Sequence, residues 1–202
     1  MVVITIIVIA LAYLVPSLAP ATGRSLEGAA RQFTSDLENA RQMAIAERTK
    51  TRVLIADTNA NPAPPFASDI ALRGYTIVSF NKTAGTWKQR GKWTRLPQPA
   101  TFDPKPTPNP SPSPAEGVIE IHKADKTKID NSVSGTDASN DFTGAYVEFR
   151  PNGSSSLDPN AKYQLLVIAD GIPDGNGNMT AKNKLLRYQI TIDPLTGSAR
   201  LQ

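Results

Sequence analysis

The hydrophobic and polar positions divide this chain into three stretches with different periods. Val2 to Val15, VVITIIVIALAYLV, is apolar throughout except for Thr5 and ends at Pro16. From Ser25 to Arg48 the apolar positions are Leu26, Ala30, Phe33, Leu37, Ala40 and Ala44, at spacings of four and three. That spacing is a stripe down one side of a helix. Glu27, Arg31, Asp36, Glu38, Arg41, Glu47 and Arg48 fall mostly off it. Ser25 fits an N-cap, with Glu27 in the first turn, so an amphipathic helix is predicted over 25–48.

After Lys50 the period shortens to two. KTRVLIA (50–56), YTIVSF (75–80), GVIEIH (117–122), AYVEFR (145–150), KYQLLVIA (162–169), LLRYQITI (185–192) and a last piece over 198–201 read as strands. TWKQRGKWTRL (86–96) reads as one strand, or as a hairpin turning near Gly91, with Trp87 and Trp93 as core or edge anchors. Asn59 to Pro65 is a loop. Pro151-Asn152-Gly153 and Asp193-Pro194-Leu195-Thr196-Gly197 are turns, and Asn152-Gly153 is placed to supply positive φ. In Pro97 to Pro114 proline recurs at almost every second residue, which excludes a central strand and predicts a stiff, extended surface insertion. Lys123 to Asp141 is polar and reads as a mobile loop.

The first stretch is shorter than the roughly 20 residues a helix needs to cross a bilayer. Three readings stand. It is a membrane helix entered partway, a secretory signal with Ala19 and Ala21 at cleavage-like spacing, or a core element. No basic residue precedes it, as one would in a signal. It has no polar face, as a core element would. A long helix then follows at once, which suits a stalk running into a packing helix.

Composition narrows the chemistry. The chain has 202 residues, enough for one full core. It has no cysteine, which removes disulfides and thiol-based zinc sites. The net charge of +4 comes from dispersed basic residues. A modest clump at Lys82, Lys88, Arg90, Lys92 and Arg95 reads as a solvated hairpin face, and no nucleic-acid partner is implied.

His122 is the only histidine; a metal site or a catalytic triad built on it would have to draw its partners from distant carboxylates. The loop DGIPDGNGN (170–178) puts Asp174, Asn176 and Asn178 at alternate positions, as at the start of a calcium loop. It lacks the closing acidic ligand, since that position falls on Leu185, and it lacks flanking helices. A glycine-rich hairpin turn is the competing reading. No nucleophile motif, phosphate-binding loop or metal pair appears, so neither an enzyme nor a cofactor is expected.

The run closing on Pro16 resembles the N-terminal helix of type IV pilins and type II secretion pseudopilins, entered partway. In that family a basic leader ending in glycine precedes a methylated phenylalanine, an acidic residue and the apolar helix. None of these three is present here, so the frame is expected to open at an internal methionine. The strings Val147-Glu148-Phe149-Arg150-Pro151-Asn152-Gly153-Ser154 and Ile190-Thr191-Ile192-Asp193-Pro194-Leu195-Thr196-Gly197-Ser198-Ala199-Arg200 resemble hairpins of the H-type minor pseudopilins and their FimT-like pilus relatives. Asn39-Ala40-Arg41 to Ala44-Ile45, with Val53 and Leu54, resembles their helix-to-strand junction.

The resemblance implies an α+β protein whose long N-terminal helix packs on an antiparallel sheet or small β-sandwich. Residues 1–24 would form the transmembrane stalk and break, and 25–202 the pilin-like domain, with β structure over 50–202 and a proline-rich insertion at 97–114. Val3, Ile7, Ala10, Leu14 and Pro16 would lie on the membrane and filament helix. Leu26, Phe33, Leu37 and Ala44 would pack it on the head. The implied partners are other pilin or pseudopilin subunits, the inner membrane and a prepilin peptidase, with the head on the periplasmic side. The alternative is a secreted β-rich module with a cleaved signal, binding calcium or a glycan.

Overall fold

A computed structural model describes residues 22–56, 71–103, 116–118, 126–130, 141–143, 145–157, 163–173, 179–181 and 186–202. The apolar run with Val3, Ile7, Ala10, Leu14 and Pro16, the 59–65 loop and His122 lie outside them. The first described element is helix α1 (Thr22–Ala46). Ser25 therefore sits inside the helix and does not cap it; its hydroxyl donates instead to the Gln98 carbonyl at 2.9 Å. The helix stops before Arg48 because the chain reverses there. Arg48 takes φ 50°, and the N–H groups of Arg48 and Thr49 close back on the Ile45 and Ala44 carbonyls at 3.3 and 3.2 Å. That pair of bonds is the Schellman closure, which satisfies carbonyls a helix end leaves open.

The strands are β1 (Thr51–Ile55), β2 (Gly74–Asn81), β3 (Thr86–Gln89), β4 (Thr94–Arg95), β5 (Ala100–Phe102), β6 (Glu116–Val118), β7 (Lys126–Asp130), β8 (Asp141–Thr143), β9 (Tyr146–Phe149), β10 (Tyr163–Pro173), β11 (Met179–Ala181), β12 (Arg187–Ile192) and β13 (Ala199–Leu201). They make two sheets. The first runs β8-β7-β3-β2-β1-β9, with β4 also on β2. The second runs β11-β10-β12-β13, with β5 and β6 also on β10. Pairing is antiparallel except for β3 with β7 and β6 with β10.

Several stretches depart from the sequence reading. Residues 86–96 form no hairpin, because β3 and β4 both pair with β2, at Val78–Asn81 and at Gly74–Tyr75. The opening of the proline-rich stretch is not a surface excursion. Between Pro99 and Pro104 it carries β5, which pairs with β10, and all three of its residues are fully buried. The prolines flank this strand without interrupting it, so its N–H groups stay available. Residues 126–130 of the supposed mobile loop are β7, beside Trp87 and Lys88 of β3. A strand near a sheet edge needs few apolar residues, and this one carries little sequence signal.

One core joins these layers. From α1 it takes Leu26, Ala29, Ala30, Phe33, Leu37, Ala40 and Ala44. From the first sheet it takes Val53, Ile55, Tyr75, Val147 and Phe149, and from the second Ala100, Phe102, Ile168, Ile190, Ile192 and Ala199. The helix packs on β1 and β9 of one sheet and on β5, β10, β12 and β13 of the other. Each fully buried leucine or phenylalanine contributes roughly 1.5–3 kcal/mol relative to exposure. The helix stripe is thus the shared spine of both sheets.

Leu72 forms a joint between the sheets. It is buried with φ 54°, a conformation that costs a bulky residue about 1–2 kcal/mol. Its N–H donates to Ala56 at the end of β1, and its carbonyl accepts from the Phe102 N–H and the Thr101 hydroxyl. These bonds hold the strained geometry in place.

Candidate functional site

For a chain without catalytic motifs the informative site is where the helix is fixed to the head. It has an aromatic part and a polar part. Phe33 on α1 meets Tyr75 of β2 and Phe102 of β5 edge-on, with ring centroids 4.8 and 4.9 Å away. A single helical side chain thereby bridges the two sheets, in a geometry aromatic pairs favour. The Tyr75 hydroxyl donates to Asp36, one turn further along the helix, at 2.5 Å. Burial pushes the Tyr75 phenol well above its ordinary range, and the Asp36 hydrogen bond and charge push it the same way.

The polar part lies near the helix C-terminus and gathers two turns. In the first, Arg150 donates its N–H to the Ser154 carbonyl and Gly153 donates back to Arg150, both at 2.8 Å. Gly153 takes φ 84°, the residue that closes a three-residue hairpin loop. Asn152 is not at positive φ; its side-chain oxygen accepts from the Ser154 N–H and hydroxyl at 3.1 and 2.8 Å. In the second turn Gly197 takes φ 66° and its N–H donates to the Asp193 carbonyl at 2.7 Å. The turns touch: a Cβ on Gly197 would drive into the Gly153 carbonyl oxygen and crowd the Phe149 ring.

Two helix side chains hold this contact. Arg41 Nε donates to the Thr196 carbonyl at 2.7 Å and the Gly153 carbonyl at 3.2 Å, one from each turn. Glu38 accepts from the Ala199 N–H at 2.7 Å, capping a backbone donor of β13, and pairs with Arg41 at 3.3 Å. A charged acceptor on an open strand N–H is a strong hydrogen bond. It also blunts an edge where another strand could add.

The opposite face of the first sheet carries a smaller cluster of Leu54, Val78 and Trp87, with Phe80, Trp93 and Tyr146 beside it. The Arg52 guanidinium lies 4.2 Å from the Trp87 ring centre and 3.9 Å from that of Tyr146. It also donates to buried Glu148 at 2.7 Å, which Lys50 meets from the rim at 3.4 Å. The tryptophans thus brace a sheet face, and Trp87 is nearly buried.

Of the residues singled out in the sequence, Leu26, Phe33, Leu37 and Ala44 are all fully buried in the shared core. Asp174, Asn176 and Asn178 lie outside the described residues. Asp170 to Pro173, assigned to the same loop, belong instead to β10, where Gly171, Ile172 and Pro173 pair with Ala181, Thr180 and Met179 of β11. Among the described residues no group of three or more acidic, histidine or cysteine side chains is placed to hold a metal ion. No helix among them is long and apolar enough to cross a membrane. Sequence reasoning missed Glu38, Arg41 and Tyr75. The two turn glycines were the available signal, but nothing in the chain order pairs them.

No protein-family model matches this chain, and no curated protein sequence does. Among solved structures, the minor pseudopilin EpsH from the type 2 secretion system of Vibrio cholerae is similar at 13% identity, covering 88% of this chain and 96% of that one, with a TM-score of 0.43. The type IV minor pilin FimU of Pseudomonas aeruginosa is similar at 14% identity, covering 91% and 92%, with a TM-score of 0.46.

Proposed function

We propose that this chain is a minor pilin or pseudopilin, a structural subunit that enters a type II secretion or type IV pilus-like filament through its N-terminal helix. The observation that carries this reading is the burial of the whole apolar stripe of α1 between two sheets. A helix held that way transmits force and orientation from the head to whatever precedes Thr22. What precedes it is the apolar run ending at Pro16, composed to rest in a bilayer and then exchange lipid contacts for helix contacts. The Val147–Ser154 and Ile190–Arg200 strings support it further, since both turns they resemble dock onto that helix.

On this reading the chain is held in the inner membrane with its head on the periplasmic side, is cleaved and methylated by a prepilin peptidase, and performs no catalysis. The test is mass spectrometry of the mature N-terminus from native membranes. The expected result is a methylated residue upstream of Met1, with the apolar run retained. A mature protein beginning near Thr22 would overturn the proposal in favour of a secreted module with a cleaved signal.

A further inference from the structure

We infer that the end of the molecule at the helix C-terminus is a docking surface for an acidic protein partner with an apolar socket. Four segments converge there. The Lys82–Gly85 turn reaches the helix end through Lys82 Nζ, 3.1 Å from the Arg48 carbonyl. The 150–153 turn lies against Ile45, next to where a Gly153 Cβ would stand. The 193–197 turn lies against the 150–153 turn and Arg41. Two large apolar side chains on these segments are open to solvent, Leu195 of the 193–197 turn at 72% and Ile45 of the helix end at 43% exposure.

Leu195 is presented rigidly. Asp193 Oδ1 accepts from the Leu195 and Thr196 N–H groups at 2.9 and 3.3 Å, and Arg41 holds the Thr196 carbonyl. A side chain fixed in this way loses little backbone freedom on binding, which favours its use as an anchor.

Charge identifies the partner. Arg48 at the helix end, Lys82 and Arg150, one on each of three of the converging segments, are exposed. The acidic side chains of these segments are mostly paired with cations, Glu38 with Arg41 and Glu47 with Arg90, while Asp193 is turned onto the N–H groups of its own turn. The rim is therefore basic among the described residues. A second copy of this chain, with a net charge of +4, would bring like charge toward it. A different protein with an acidic rim around an apolar pocket is complementary on both counts. This surface is separate from the helix stripe, so the inference does not depend on how the N-terminus is processed.

The test places p-benzoylphenylalanine at position 195 of the full chain in its native cells, with photolysis and sequencing of the cross-linked peptide. The expected adduct joins a different protein through a peptide of net negative charge. Adding Lys82→Glu and Arg150→Glu should lower its yield about fivefold, the scale of losing two exposed ion pairs. The helical circular dichroism of the purified variants should be unchanged. An adduct to another copy, to nucleic acid or to lipid would overturn the inference. So would an unchanged yield in the charge-reversed chain, or no adduct from a chain that accumulates normally.

Discussion

Among the described residues, two without the freedom of glycine sit in the left-handed region, and their surroundings separate their consequences. Arg48 is exposed and closes the helix by backbone bonds alone. Arg48→Gly should raise unfolding free energy by about 1 kcal/mol, the left-handed cost relieved less the glycine chain entropy, as measured by urea titration. Leu72 shares the conformation but fills the core, so the same replacement there should cost more than it relieves. Tyr75 gives a pH signature. Its folded pKa is raised above the ordinary 10.0, so the native state keeps a proton that the unfolded chain releases. Its contribution is fully present below about pH 10 and is lost as pH rises further, at about 1.4 kcal/mol per pH unit. Stability measured from pH 8 to 11 should show this alkaline fall, and Tyr75→Phe should remove it. None of this was legible in the sequence, because strain and burial belong to positions that the chain order does not mark.

Between helix and turns, the Arg41 contact is partly open to water, since Arg41 and Glu38 are each about a quarter to a third exposed. Water can replace part of it. Arg41→Ala should therefore cost about 1–2 kcal/mol in equilibrium unfolding and should raise amide hydrogen exchange at Gly153 and Gly197 more than elsewhere. Arg41→Lys should recover only a fraction, because an ammonium does not reproduce the side-on guanidinium donor. The helix was readable as an element because its stripe repeats through six apolar positions. Its start was not: Ser25 carries the chemistry of a cap, but a carbonyl from the Gln98 loop claims its hydroxyl. The same competition explains β5. Local composition marks 97–114 as non-strand, yet three residues between prolines are enough to pair with β10 once the chain brings them there. β7 was missed for the converse reason, since pairing with β3 and β8 gives it a strand conformation that its own polarity does not suggest.

In the whole molecule, the helix, both sheets and the Leu72 joint share one core, so they should unfold together. Fluorescence of Trp87 and Trp93, which lie on the far face of the first sheet, should give the same urea midpoint as helical circular dichroism. Phe33→Ala should lower both midpoints together, through a loss of about 3–5 kcal/mol of unfolding free energy. Separate midpoints would mean that the sheets are independent units. The sequence by itself determined the helical stripe, most of the strands and the two glycine turns, because periodicity and turn chemistry act over a few neighbouring residues. Only the tertiary structure decided that the strands divide into two sheets around one helix, that Phe33 bridges them, and that Glu38 and Arg41 join turns far apart in the chain. Those are long-range choices among many pairings of similar local cost, and the burial of one shared apolar stripe selects between them.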